Sequence, residues 1–138
     1  MSTRANIIIR DGYGKLYFYR HSDGYPECTF EDLKEFVNGY KSGVYRDNVE
    51  QSAGWLITYG AIGFQRYEFD QWKVGNYETA TGIHSDIEYL YDINLKTRLL
   101  TCREVANAWD YKEDDLMAVE PIFRYYFGKS LDKVKQKV

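Results

Sequence analysis

The stretch Asn6-Ile7-Ile8-Ile9-Arg10-Asp11-Gly12-Tyr13-Gly14-Lys15-Leu16-Tyr17-Phe18-Tyr19-Arg20-His21 sets two short β-rich runs around a turn that holds two glycines. Glycine takes positive φ without a Cβ clash, so this stretch predicts a β-hairpin with strands over 6–10 and 15–21. In the second strand, alternation puts Leu16, Phe18 and Arg20 on one face and Tyr17, Tyr19 and His21 on the other. Ser22-Asp23-Gly24-Tyr25-Pro26 ends that strand, because Asp and Gly favour turns and Pro has no N–H to give a ladder.

Outward from this hairpin, the segments 86–94 and 98–105 predict a second one around Leu95-Lys96-Thr97. There Ile87, Tyr89, Tyr91 and Ile93 alternate with Glu88, Leu90, Asp92 and Asn94. Two helical patterns lie between the hairpins. The first has Thr29 as N-cap with Asp32 at N3, repeats Leu33, Phe36, Val37 and Tyr40 opposite Glu31, Lys34 and Glu35, and ends at Gly39 or Gly43. The second starts at the Asp capping box Asp47-Asn48-Val49-Glu50 and carries Val49, Ala53, Leu56, Ile57, Gly60 and Phe64 on one stripe, which makes it the more buried helix expected. Segment 65–81, with Trp72, Gly75 and Asn76, has no clear period and reads as a long connection with at most a short element.

This order is ββααββ, an α+β chain expected to form an antiparallel four-stranded sheet with two helices on one face. Residues 1–108 would make that domain. Residues 109–138 read as a C-terminal extension, not a separate domain: acidic at Asp110, Glu113, Asp114 and Asp115, aromatic at 122–127, and basic at Lys129, Lys133, Lys135 and Lys137. Ile122, Phe123, Tyr125, Tyr126 and Phe127 crowd more apolar groups together than one face can bury, so Phe123, Tyr125, Tyr126 and Phe127 are expected at a homodimer interface.

With 138 residues, 18 Lys+Arg against 21 Asp+Glu and a net charge of −3, the chain suits one domain without general nucleic-acid binding. Its longest uncharged stretch, 51–65, falls short of a membrane span, and 1–12 holds no secretory h-region, so a cytoplasmic protein is expected. Cys28 and Cys102 have no metal-ligand spacing and read as two reduced thiols. The 14 Tyr suit either a recognition surface or a small half-buried sheet. Gly12-Tyr13-Gly14 is part of a dinucleotide fingerprint, but it joins two strands and opens no helix, so it reads as a hairpin turn. No catalytic motif is present in the sequence, and no cofactor is expected.

One tripeptide recurs. His21-Ser22-Asp23 ends the second strand and His84-Ser85-Asp86 precedes the third. If those strands are antiparallel within one sheet, both segments fall at the same end. With Arg20, Tyr25 and Glu88 they would form a ligand- or partner-binding surface of Arg20, His21, Asp23, Tyr25, His84, Asp86 and Glu88. The alternative is a metal site of His21, Asp23, His84 and Asp86, serving a hydrolase of a phosphate-containing substrate. A purely structural use, in which Asp23 and Asp86 bond turn backbones, also fits the pattern.

Tyr19-Arg20-His21-Ser22-Asp23-Gly24-Tyr25-Pro26 and His84-Ser85-Asp86-Ile87-Glu88-Tyr89-Leu90-Tyr91 resemble a group of uncharacterised small proteins encoded by phages and prophages, which carry a Tyr-Arg-His-x-Asp-Gly-Tyr-Pro segment. The likeness covers about residues 4–95. It departs at Cys28, where the group has glycine, and has no counterpart beyond Val105. It implies a single α+β domain of mobile-element origin in a host-cell cytoplasm and brings no activity with it. Together these readings lead to the expectation of a non-enzymatic binding protein that acts on a host protein, in the manner of a counter-defence inhibitor, or sequesters a small polar ligand.

Overall fold

Three consecutive isoleucines, Ile7, Ile8 and Ile9, are almost completely buried, which a strand achieves only where both faces of its sheet are covered. In the computed structural model, which describes residues 3–64, 77–105 and 111–128, they belong to β1 (Ala5–Arg10). Along the chain follow β2 (Lys15–Arg20), α1 (Thr29–Lys41), α2 (Val49–Phe64), β3 (Tyr77–Ala80), β4 (Tyr89–Asn94), β5 (Leu99–Glu104), α3 (Glu113–Met117) and β6 (Phe123–Tyr126). The fold is α+β, and its described strands form one sheet in the order β3-β2-β1-β4-β5-β6. No helix among the described residues is long and apolar enough to cross a membrane.

The expected sheet of four antiparallel strands is therefore corrected to six strands of mixed direction. Both hairpins form, with Ile7 opposite Phe18 and Tyr91 opposite Cys102. They join through β1 and β4, which run parallel, with Ala5 beside Tyr89 and Arg10 beside Asn94. A hairpin turn specifies only the pairing within its own hairpin, whereas burial decides which strand of one hairpin meets the other, and β1 is dry on both sides. Two edge strands complete the sheet. β3 adds to β2 from the end of the long connection, and β6 adds to β5 from the C-terminal extension. Trp72, Gly75 and Asn76, the side chain of Phe64, Asp110 and the lysines at 129, 133, 135 and 137 lie outside the described residues.

The register sorts the side chains into two layers. On one face Ala5, Ile7, Ile9, Phe18, Tyr91, Ile93, Leu100 and Cys102 pack against Phe30, Leu33, Phe36, Val37 and Tyr40 of α1 and Val49 and Leu56 of α2, so both helices share a face as expected. Each fully buried Leu or Phe there contributes about 1.5–3 kcal/mol. On the other face Ile8, Tyr19 and Leu90 meet Ile87, Val105 and Leu116 in a smaller cluster capped by α3.

The helix ends differ from the sequence pattern. Cys28, not Thr29, holds the N-cap position of α1 and makes no side-chain bond. Thr29 instead donates its hydroxyl to the Asp23 carbonyl at 2.7 Å, and Asp32 is drawn to Arg20. Ser42 follows the last turn and Gly43 takes φ +80°, so Gly43 ends the helix. Gly39 lies inside α1, where a Cβ would stand 2.1 Å from the Tyr45 ring. The N-cap of α2 is Asn48, whose Oδ1 accepts the Gln51 N–H at 2.8 Å, while Asp47 pairs with Arg98. Through Gly60, α2 exposes Glu50, Gly54, Trp55 and Thr58, whereas α1 buries a continuous stripe. Over 29–41 and 49–60, where the side chains are described, α1 is the more buried helix.

Candidate functional site

Because β2 and β4 both neighbour β1, one antiparallel and one parallel, β2 ends where β4 begins. The two His-Ser-Asp segments therefore meet at one end of the sheet, on the face opposite α1 and α2. Tyr19 is their common contact. Its ring lies under the His84 ring at 3.9 Å and 16°, its hydroxyl donates to Asp86 Oδ2 at 3.0 Å, and His21 Nδ1 is 3.4 Å from the same hydroxyl. Arg4 adds a cation, with Nε 3.2 Å from Asp86.

The Tyr19 ring is buried while His21, His84 and Asp86 are exposed, so a buried base presents a polar surface that it holds by stacking and by a hydrogen bond. Burial pushes the Tyr19 hydroxyl up to about 12, and its bond to Asp86 adds to the shift. It stays protonated as a donor at neutral pH. Asn6 sets the loop above it. Fully buried in β1, it donates to the Phe18 carbonyl at 2.8 Å and accepts the His84 N–H at 2.7 Å. These bonds hold the loop that lays His84 across Tyr19.

Not every expected site residue comes here. Arg20 belongs to the helix-side layer, 4% exposed, because strand alternation turns it away from Tyr19. It donates to Asp32 Oδ2 at 2.8 Å and to the Tyr77 hydroxyl at 2.9 Å, and lies 3.5 Å from Cys28 Sγ. Burial works against its charge, yet Tyr77 and Asp32 hold its pKa above the ordinary value. Arg20 is therefore a buried link between β2, β3 and α1 and leaves the expected contact surface. Asp23 takes φ +59° in the turn, and its carbonyl receives Thr29. Tyr25 and Glu88 are exposed near the same end of the sheet.

The metal arrangement is not assembled. Among the described residues, which include His21, Asp23, His84 and Asp86, no group of three or more His, Cys, Asp or Glu could hold a metal ion. The thiols are also quiet. Burial raises the Cys28 pKa despite Arg20 beside it and pushes Cys102 up to about 12, so neither is an activated thiolate.

The aromatic segment divides between core and surface: Phe123, Tyr125 and Phe127 alternate onto the helix-side face, increasingly buried toward Phe127, and Tyr126 onto the other. Phe127 is core, 1% exposed, under the Arg98 guanidinium at 4.8 Å, and so leaves the expected interface set. Tyr125 is half-buried and donates to Asn38 Oδ1 at 2.9 Å. Phe123 and Tyr126 remain exposed on β6, with Ile122 just before them.

Sequence reasoning missed Tyr19 and Asn6 as the organisers of this site. The signal for Tyr19 was present, since alternation already put it on the face of His21 and opposite Arg20. For Asn6 the only signal was an amide beside three isoleucines in an otherwise apolar strand. No family model matches this chain, and no curated protein and no solved structure matches it.

Proposed function

We propose that the protein is a non-enzymatic binding protein that recognises a host protein through the exposed end of the sheet formed by His21, His84, Asp86, Tyr25 and Glu88. The observation that carries this reading is the Tyr19 hub. It fixes one exposed imidazole by stacking and one exposed carboxylate by a hydrogen bond, which reduces the ordering cost of a partner contact. Side chains that are exposed rather than enclosed suit a protein surface better than capture of a small polar ligand. The likeness of 19–26 and 84–91 to small phage and prophage proteins supports a mobile-element origin, action in the host-cell cytoplasm and an inhibitor-like, stoichiometric role.

The chain is further proposed to pair with a second copy along β6, an edge strand that carries exposed Phe123 and Tyr126. The partner reading is tested by affinity capture from host lysate with the wild type and with a His84→Ala/Asp86→Ala variant. Both positions are exposed, but His84 stacks on Tyr19 and Asp86 accepts its hydroxyl, so a thermal melt checks that the variant keeps its fold. A host protein retained by the wild type and lost by the variant is the expected result. Identical captures by the two proteins would remove this surface from recognition.

A further inference from the structure

We propose that a pocket at the opposite end of the sheet binds a nucleoside phosphate, with the phosphate among Arg10, Lys15 and Lys96 and the base on the Tyr13 ring. The turns of the two hairpins border an open pocket of about 360 Å³ there, lined by these three cations, the Gly12-Tyr13-Gly14 turn and Asn94. The register sets Arg10 of β1 directly opposite Lys15 of β2, and like charges directly opposed in a sheet repel. Lys96 enters from the β4–β5 turn, so close that a Cβ on Gly12 would stand 3.5 Å from its Cδ. Asp92 and Glu113 offset part of that repulsion from outside the pocket, and an anion between the three cations offsets more of it.

The neighbouring carboxylates do not fill that place. Asp92 holds Arg10 and Glu113 holds Lys15, but neither lines the pocket, and Lys96 forms no ion pair among the described residues. Asp11, within the turn, faces inward and accepts the N–H groups of Tyr13, Gly14 and Val49. Tyr13 itself is fully exposed between two glycines. An unpacked ring at the rim of a cationic pocket gives a base a stacking surface, and bare phosphate would leave it unused. The site is local, so a net charge of −3 is no obstacle to it.

Calorimetric titration of the full chain at low salt with AMP, inorganic phosphate and a 5′-phosphorylated oligothymidylate tests the assignment. Saturable AMP binding is expected, weakened roughly tenfold by Lys96→Glu and by Tyr13→Ala, whereas inorganic phosphate binds more weakly and ignores Tyr13→Ala. Tyr13→Phe keeps the ring and should keep the affinity. Thermal midpoints check that each variant folds, and Lys96→Gln replaces Lys96→Glu if that one does not. An oligothymidylate that binds more tightly than AMP identifies the end of a single strand as the source of the phosphate, and equal affinity identifies a free nucleotide. Either supports the site. Absent AMP binding, or AMP binding indifferent to both Lys96→Glu and Tyr13→Ala, overturns it.

Discussion

Leu56 and Ile57 are adjacent on α2, yet Leu56 is fully buried against the sheet and Ile57 only half-buried. Leu56→Ala leaves a void in the helix-side core and should cost about 2–5 kcal/mol, lowering Tm by roughly 10 °C. Ile57→Ala should lower Tm far less, and equal shifts would mean that α2 packs with a different face. Among the described residues, two carboxylates are held below their ordinary pKa and contribute to the acid response. Backbone bonds from Tyr13 lead in lowering the Asp11 pKa below the ordinary value, against a smaller effect of burial. For Glu113 burial works upward, but Lys15 and Tyr17 outweigh it and hold the pKa below the ordinary value. A carboxyl depressed on folding stabilises fully above its unfolded pKa, and that contribution fades as pH falls through it toward the folded value. Stability should therefore fall below about pH 4. Glu113→Gln should lower Tm at neutral pH and narrow the gap between neutral and acid midpoints, as circular-dichroism melts would record. An unchanged gap would show that the Glu113 contacts with Lys15 and Tyr17 add nothing to folding.

At the scale of elements, legibility followed sequence distance. Both hairpins, both long helices and the His-Ser-Asp meeting point were readable, because turn glycines, alternation and helical spacing are local signals. The parallel β1–β4 pairing was not, although the Ile7-Ile8-Ile9 run, apolar on successive positions, marks a strand covered on both faces and hence a central one. β3 and β6 were missed for the same reason: a four-residue edge strand has too few alternations to declare itself. Caps misled where a side chain had a stronger distant partner, as Asp32 with Arg20 and Asp47 with Arg98. The end of α1 was legible only as Gly39 or Gly43, and Gly43 takes it, with a φ of +80° that disfavours any Cβ. Gly43→Ala should cost about 1 kcal/mol in a denaturant melt, and a neutral result would mean that the last turn rearranges freely.

For the whole molecule, the question is how the sheet ends. β6 draws the C-terminal extension into the fold and buries Phe127, which answers part of the aromatic crowding within one chain. Phe123 and Tyr126 are left, 47% and 63% exposed, on a strand whose outer backbone groups have no strand partner among those described. Such an edge invites a second strand, and two copies related by a two-fold axis can join their β6 edges antiparallel, each supplying the same groups to the other. The acidic first turn of α3, at Glu113, Asp114 and Asp115, does not decide this, since Glu113 already meets Lys15 and Tyr17 of its own chain. The edge itself is the testable part. Charged side chains on an edge strand block pairing without disturbing the inner ladder, so Tyr126→Lys should turn a dimer at micromolar concentration into a monomer with little change in Tm, whereas Phe123 also meets the Phe30 ring of α1 and is left in place. Light scattering on the two proteins reads the outcome directly. A monomeric wild type at that concentration would leave β6 as the free edge of a single-chain sheet.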